Sequence, residues 1–137
     1  MPKINSRGKG AEGEREFARW LQENLKLDFL PTRNLEQVRE GGADIMGVKP
    51  FVFEVKRCQQ LSLRNWWLQV NISIQNMTAE ELSEQPIPVV AYRQNHQPWR
   101  FLISATHIGL FKGFIQIEEF EARQWMLMQL QGIEIIT

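Results

Sequence analysis

Gly42-Ala43-Asp44-Ile45-Met46-Gly47-Val48-Lys49-Pro50-Phe51-Val52-Phe53-Glu54-Val55-Lys56-Arg57 is the stretch on which the reading of this chain turns. Ala43 to Gly47 and Phe51 to Arg57 read as two strands joined by a tight turn through Val48, Lys49 and Pro50. Side chains alternate across a strand, so Phe51, Phe53 and Val55 share one face of the second strand, and Val52, Glu54 and Lys56 share the other. If the hairpin turns about Lys49, Asp44 stands opposite Glu54.

Two carboxylates facing each other across a hairpin repel unless a cation bridges them. Mg²⁺ suits such a pair, because it takes one or two carboxylates and leaves its remaining positions to water and phosphate. Lys56 lies on the same face as Glu54, where its ammonium can steady negative charge developing on a phosphate. A Glu-x-Lys triplet alone also fits a surface ion pair on a solvated strand. Asp44 adds weight, since the chain has only one other aspartate, Asp28.

Upstream, the sequence predicts a helix from Ala11 to Leu25, preceded by a mobile basic arm over residues 1–8. At about 100° per residue, Phe17, Ala18, Leu21 and Leu25 form an apolar stripe, with Glu12, Arg15, Glu16, Arg19 and Glu23 opposite. Glu14 falls inside the stripe. Two readings of it stand: a carboxylate held there for a cation or a hydrogen-bond network, and a stripe-edge glutamate in a frayed first turn.

Leu27 to Leu30 alternates as a short strand ended by Pro31, and a polar loop with Arg33 and Arg39 runs from Thr32 to Gly42. After the hairpin, Leu63, Trp66, Trp67, Val70, Ile74 and Met77 recur at helical spacing, with Ser62 placed to cap. Ile87 to Arg93 and Trp99 to Ser104 form a second hairpin, and Glu118 to Leu130 is the expected closing helix. The tryptophans at helical spacing belong to the core rather than to base stacking, and neither His96 nor His107 has a nucleophile at a recognised spacing.

At 137 residues, 43% hydrophobic and 23% charged, the chain has the composition of one globular domain, taken here as residues 1–137. The single cysteine, Cys58, excludes an internal disulfide and a cysteine metal cluster. No apolar run is long enough to cross a bilayer and the polar start lacks a secretion signal, so a cytoplasmic protein without membrane contact is expected. The net charge of +0 argues against a bulk electrostatic grip on nucleic acid. The charge is uneven, however: Lys3, Arg7 and Lys9 open the chain without an acid, Gln85 to Lys112 is acid-free, and Glu118, Glu119, Glu121 and Glu134 make the tail acidic.

Taken in order, Glu14, Gly42-Ala43-Asp44-Ile45 and Phe53-Glu54-Val55-Lys56 resemble the PD-(D/E)xK nuclease superfamily. Within it, Lys9-Gly10-Ala11-Glu12-Gly13-Glu14-Arg15-Glu16-Phe17 resembles the first helix of archaeal-type Holliday-junction resolvases, and Pro88-Val89-Val90-Ala91 and Trp99-Arg100-Phe101 resemble that family's later strands. The likeness spans residues 9–104; it departs in a longer loop between Arg33 and Asp44 and in Ala43, where the motif has proline.

The resemblance implies an α/β fold, restriction-endonuclease-like, with a mixed five-stranded β-sheet flanked by helices. It implies catalytic Glu14, Asp44, Glu54 and Lys56, and Mg²⁺, with Mn²⁺ as a substitute, on Asp44, Glu54, the Val55 carbonyl and Glu14. Lys9, Arg15, Arg33, Arg39, Arg57 and Gln69 are expected to lie along the DNA. A homodimer acting on four-way junctions follows from the same likeness. The motif does not specify the target, so other branched, nicked or duplex DNA stays open, as does a catalytically silent DNA-binding module of the same fold.

Overall fold

A computed structural model describes residues 6–33, 44–108 and 113–131. Its elements are α1 (Ser6–Asn24), β1 (Thr32–Arg33), β2 (Ile45–Met46), β3 (Phe51–Arg57), α2 (Leu63–Gln75), α3 (Ala79–Ser83), β4 (Ile87–Arg93), β5 (Arg100–Ser104), a 3-10 turn (Ala105–Ile108), β6 (Phe114–Glu118) and α4 (Glu119–Gln131). The result is the expected mixed sheet flanked by helices, with six strands among the described residues, in the order β1-β2-β3-β4-β5-β6, where five were expected.

Only β3 and β4 are parallel, in register from Phe51↔Ile87 to Arg57↔Arg93. The other pairings are antiparallel. A parallel pair needs a crossover, and α2 with α3 supplies it. The sixth strand comes from Phe114-Ile115-Gln116-Ile117-Glu118, whose alternation places Ile115 and Ile117 against the core and leaves Gln116 and Glu118 exposed.

The alternation expected of β3 holds. Phe51, Phe53 and Val55 join Phe17 and Leu21 of α1, Leu25 just after it and Met126 of α4 in one core. Val52, on the other face, joins Trp66 and Val70 of α2 with Val90, Tyr92 and Leu102. Aromatic rings fill much of the first core: Phe17 packs on Phe53 with centroids 5.1 Å apart and on Trp99 at 5.1 Å. Trp66 packs on Tyr92 at 5.3 Å, so both cores use their tryptophans as packing.

Several local expectations need correction. Helix α1 begins at Ser6, five residues ahead of the predicted Ala11, so residues 6–8 are helical; residues 1–5 of the expected arm lie outside the described residues. Leu27 to Leu30 is not a strand. Phe29 and Leu30 are exposed in succession, at 43% and 49%, so the apparent alternation over four residues has no buried face to serve. The edge strand is Thr32–Arg33 instead. Ser62 precedes α2 without a side-chain cap bond, because its Oγ accepts Asn65 Nδ2 at 2.8 Å. A cap does form one helix later, where Thr78 and Glu81 make a reciprocal capping box at the start of α3.

Candidate active site at the edge between β2 and β3

The turn through Val48, Lys49 and Pro50 closes with Phe51 N–H donating to the Val48 carbonyl at 3.0 Å, and Gly47 adopts φ +93°, a conformation that favours glycine. Ile45 then pairs with Phe53. One residue further along this register, Asp44 lies across from Glu54. Its N–H donates to the Phe53 carbonyl at 2.9 Å and its Oδ2 accepts Val55 N–H at 2.7 Å, so the two bonds bracket Glu54.

Asp44 is 8% exposed, and its carboxyl is pushed up to about 7. Burial is the first cause and the charge of Glu54 the second; Glu14 adds to the rise, while the Val55 N–H and Lys56 oppose it. Lys56 Nζ lies 3.1 Å from Glu54 Oε1, on the same strand face, as alternation requires.

Glu14 is 7% exposed, and Arg33 Nε reaches its Oε2 at 2.6 Å. Because α1 starts at Ser6, Glu14 sits well inside the helix, which removes the frayed-turn reading; the cation waiting for it is a guanidinium from β1. Among the described residues no group of three or more His, Cys, Asp or Glu side chains is spaced to hold a metal ion. Asp44 and Glu54 thus stand as a facing pair, with Glu14 bearing on them through its charge.

The residues expected along DNA separate. Arg15 and Gln69 are exposed, on α1 and α2. Arg33 is committed to Glu14. Arg57 is held by Glu16, Nη1 to Oε1 at 3.1 Å, and by Asn95, Nη2 to Oδ1 at 3.3 Å. Arg39 and the side chain of Lys9 lie outside the described residues.

Sequence reasoning missed Glu16 and Arg93. Glu16 Oε2 also accepts Arg93 Nη1 at 3.1 Å, so one carboxylate joins the neighbouring ends of the parallel pair. No local pattern announces contacts of that sequence separation.

An open cleft of about 660 Å³ lies beyond this clamp, lined by residues including Arg19, Trp20, Arg93, His96 and Trp99. None of Glu14, Asp44, Glu54 or Lys56 lines it, and it mixes acids with bases.

Fold and site together define a mixed α/β sheet with a facing acidic pair, Asp44 and Glu54, and a lysine beside it. No family model matches the chain, and no curated protein does. Among solved structures the chain is similar to Hjc of Archaeoglobus fulgidus, a Holliday junction resolvase from an archaeal hyperthermophile, at 18% identity and a TM-score of 0.46, over 93% of this chain and 98% of that one. Among the described residues no helix is long and apolar enough to cross a membrane.

Proposed function

We propose that this chain is a Mg²⁺-dependent DNA endonuclease of the PD-(D/E)xK type, with four-way junctions as its substrate and Mn²⁺ as an alternative ion. The observation that carries the reading is Asp44 facing Glu54 with its carboxyl raised by burial and by that neighbour, beside Lys56. The donor set fits a hard divalent cation: two carboxylates facing each other and the Val55 carbonyl, next in sequence to Glu54. When bound, the ion supplies Lewis acidity toward the phosphate and lowers the pKa of an attacking water.

The chain's own residues do the rest. Val55 N–H fixes the orientation of the Asp44 carboxylate, so its second oxygen is directed without rotamer search. Lys56, on the Glu54 face, steadies charge gathering on the phosphate in the transition state. Glu14 adds negative potential at Asp44, and Arg33 holds that buried carboxylate in place. Arg15 and Gln69 are exposed to meet the DNA, joined by Lys9 and Arg39, whereas Arg33 and Arg57 work from within ion pairs.

Cutting two strands of a symmetric junction calls for two sites related by a two-fold axis, hence a homodimer, leaving 5′-phosphates. The test sets a synthetic four-way junction beside a matched linear duplex, with Mg²⁺ or EDTA, for the wild type and Asp44→Asn. Mg²⁺-dependent cleavage favouring the junction and lost in Asp44→Asn is expected. No cleavage of either DNA overturns the nuclease reading, and equal cleavage of both overturns the junction preference.

A further inference from the structure

Helix α1 crosses β3 at a glycine. A Cβ built on Gly13 would stand 2.9 Å from Arg57 Cβ and 3.7 Å from its Cγ, whereas Gly10, three residues earlier in the same helix, meets nothing within 4 Å. Both glycines weaken a helix interior, and only Gly13 has a contact that demands one. The atom it approaches is the root of the Arg57 side chain, fixed by the strand backbone, and it cannot swing aside.

Around this contact the helix is pinned on both flanks. At about 100° per residue, Glu14 lies to one side of Gly13 and Glu16 to the other. Glu14 meets Arg33 of β1 at 2.6 Å; Glu16 meets Arg57 of β3 and Arg93 of β4, each at 3.1 Å. Arg57 Nε is buried with no hydrogen-bond partner among the described residues, so its side chain is held by packing and by its terminal nitrogens. One close approach and two flanking carboxylates thus form a three-point seat for α1 on the sheet. Glu14 is one of the three points, and its charge bears on Asp44.

We propose that Gly13 is a positioning residue: its missing side chain sets the distance between α1 and β3 at Arg57, and with it the placement of Glu14 at the Asp44 and Glu54 edge. This rests on the reading of that edge as a hydrolytic site. Any side chain at position 13 must push the helix outward, because contact becomes ordinary only from 3.4 Å. Misplacement on the order of 1 Å costs roughly 100-fold in rate, so a smaller shift is expected to cost between about tenfold and 100-fold.

The experiment uses the full chain as wild type, Gly10→Ala, Gly13→Ala, Arg57→Gly and the double variant Gly13→Ala/Arg57→Gly, in which the second change removes the Cβ that the first one strikes. Circular dichroism checks folding; junction cleavage gives kcat and KM separately; Mn²⁺ affinity is measured by calorimetry. Expected are a Gly13→Ala enzyme that is folded, with kcat lowered about tenfold to 100-fold and KM for DNA unchanged, a double variant whose kcat matches that of Arg57→Gly alone, and Gly10→Ala matching the wild type. Wild-type kcat in Gly13→Ala, or a loss of equal size when the same change is made on Arg57→Gly, overturns the proposal. If the wild type cuts no DNA, the nuclease reading fails by itself, and the positioning claim is decided by Mn²⁺: binding weakened by Gly13→Ala in the wild type but not on Arg57→Gly upholds it, and equal affinity across the set, including none in any, overturns it. Should Gly13→Ala fail to fold, Gly13→Ser decides by the same readouts, and its failure to fold as well overturns a role confined to positioning.

Discussion

Two clusters of charge flank the same strand, and they are built oppositely. At the edge between β2 and β3, Asp44 faces Glu54 with Glu14 close by, and Lys56 is the cation beside Glu54. At the ends of β3 and β4, a single carboxylate, Glu16, is shared by two guanidiniums, those of Arg57 and Arg93. The second cluster sets one carboxylate between two guanidiniums and ties α1 to β3 and β4. In the first, burial and the charge of Glu54 raise the Asp44 carboxyl to about 7. Charged residues at neighbouring positions of one strand thus enter two surroundings, one that gathers carboxylates and one that gathers guanidiniums.

The largest expected effect separates the two. Asp44→Asn removes an oxygen donor at the reactive edge and should lower Mg²⁺-dependent cleavage by at least roughly 10³-fold in a single-turnover assay, while keeping the bond from Val55 N–H. The same substitution should stabilise the cation-free protein. A carboxyl whose pKa rises from 3.8 unfolded to about 7 folded lends stability that is fully present below pH 4 and lost as pH climbs through 7. Melting followed from pH 4 to 7 without divalent ions should show the variant gaining on the wild type by up to about 1.4 kcal/mol per pH unit; parallel curves would contradict the raised carboxyl.

Glu16→Gln addresses the clamp. It leaves two mostly buried guanidiniums without their carboxylate and should cost about 1–3 kcal/mol in urea unfolding, an effect that falls on stability before cleavage. The smallest change is Thr78→Ala, which opens the capping box of α3 and should cost about 1 kcal/mol with cleavage untouched, α3 standing apart from both clusters.

The facing of Asp44 and Glu54 was legible in the sequence and the clamp was not, for a physical reason. Alternation in Phe51 to Arg57 and the turn at Lys49 are local signals, and together they bring Asp44 across from Glu54. The stripe of Phe17, Ala18, Leu21 and Leu25 is likewise a local period, and Glu14 falls inside it; the period leaves its burial open, and the start of α1 at Ser6 decides it. Its partner Arg33 depends on a strand of only two residues, too short to carry a pattern. Glu16 fell on the polar side of the helical wheel, and only the parallel register of Arg57 with Arg93 gives it a role. Two readable signals were passed over. Phe114 to Glu118 alternates, but lies in an apolar stretch where the alternation is easily taken for irregular chain; Thr78 and Glu81 have capping-box spacing.

The central claim is that the facing carboxylates of Asp44 and Glu54 receive a divalent cation. Calorimetric titration of Mn²⁺ at pH 6, in two buffers of different ionisation enthalpy, tests it without reference to any DNA. One site per chain is predicted, with close to one proton released on binding because Asp44 starts mostly protonated, and with both the site and the proton absent in Asp44→Asn. Binding that persists unchanged in Asp44→Asn, or no binding to the wild type, would contradict it.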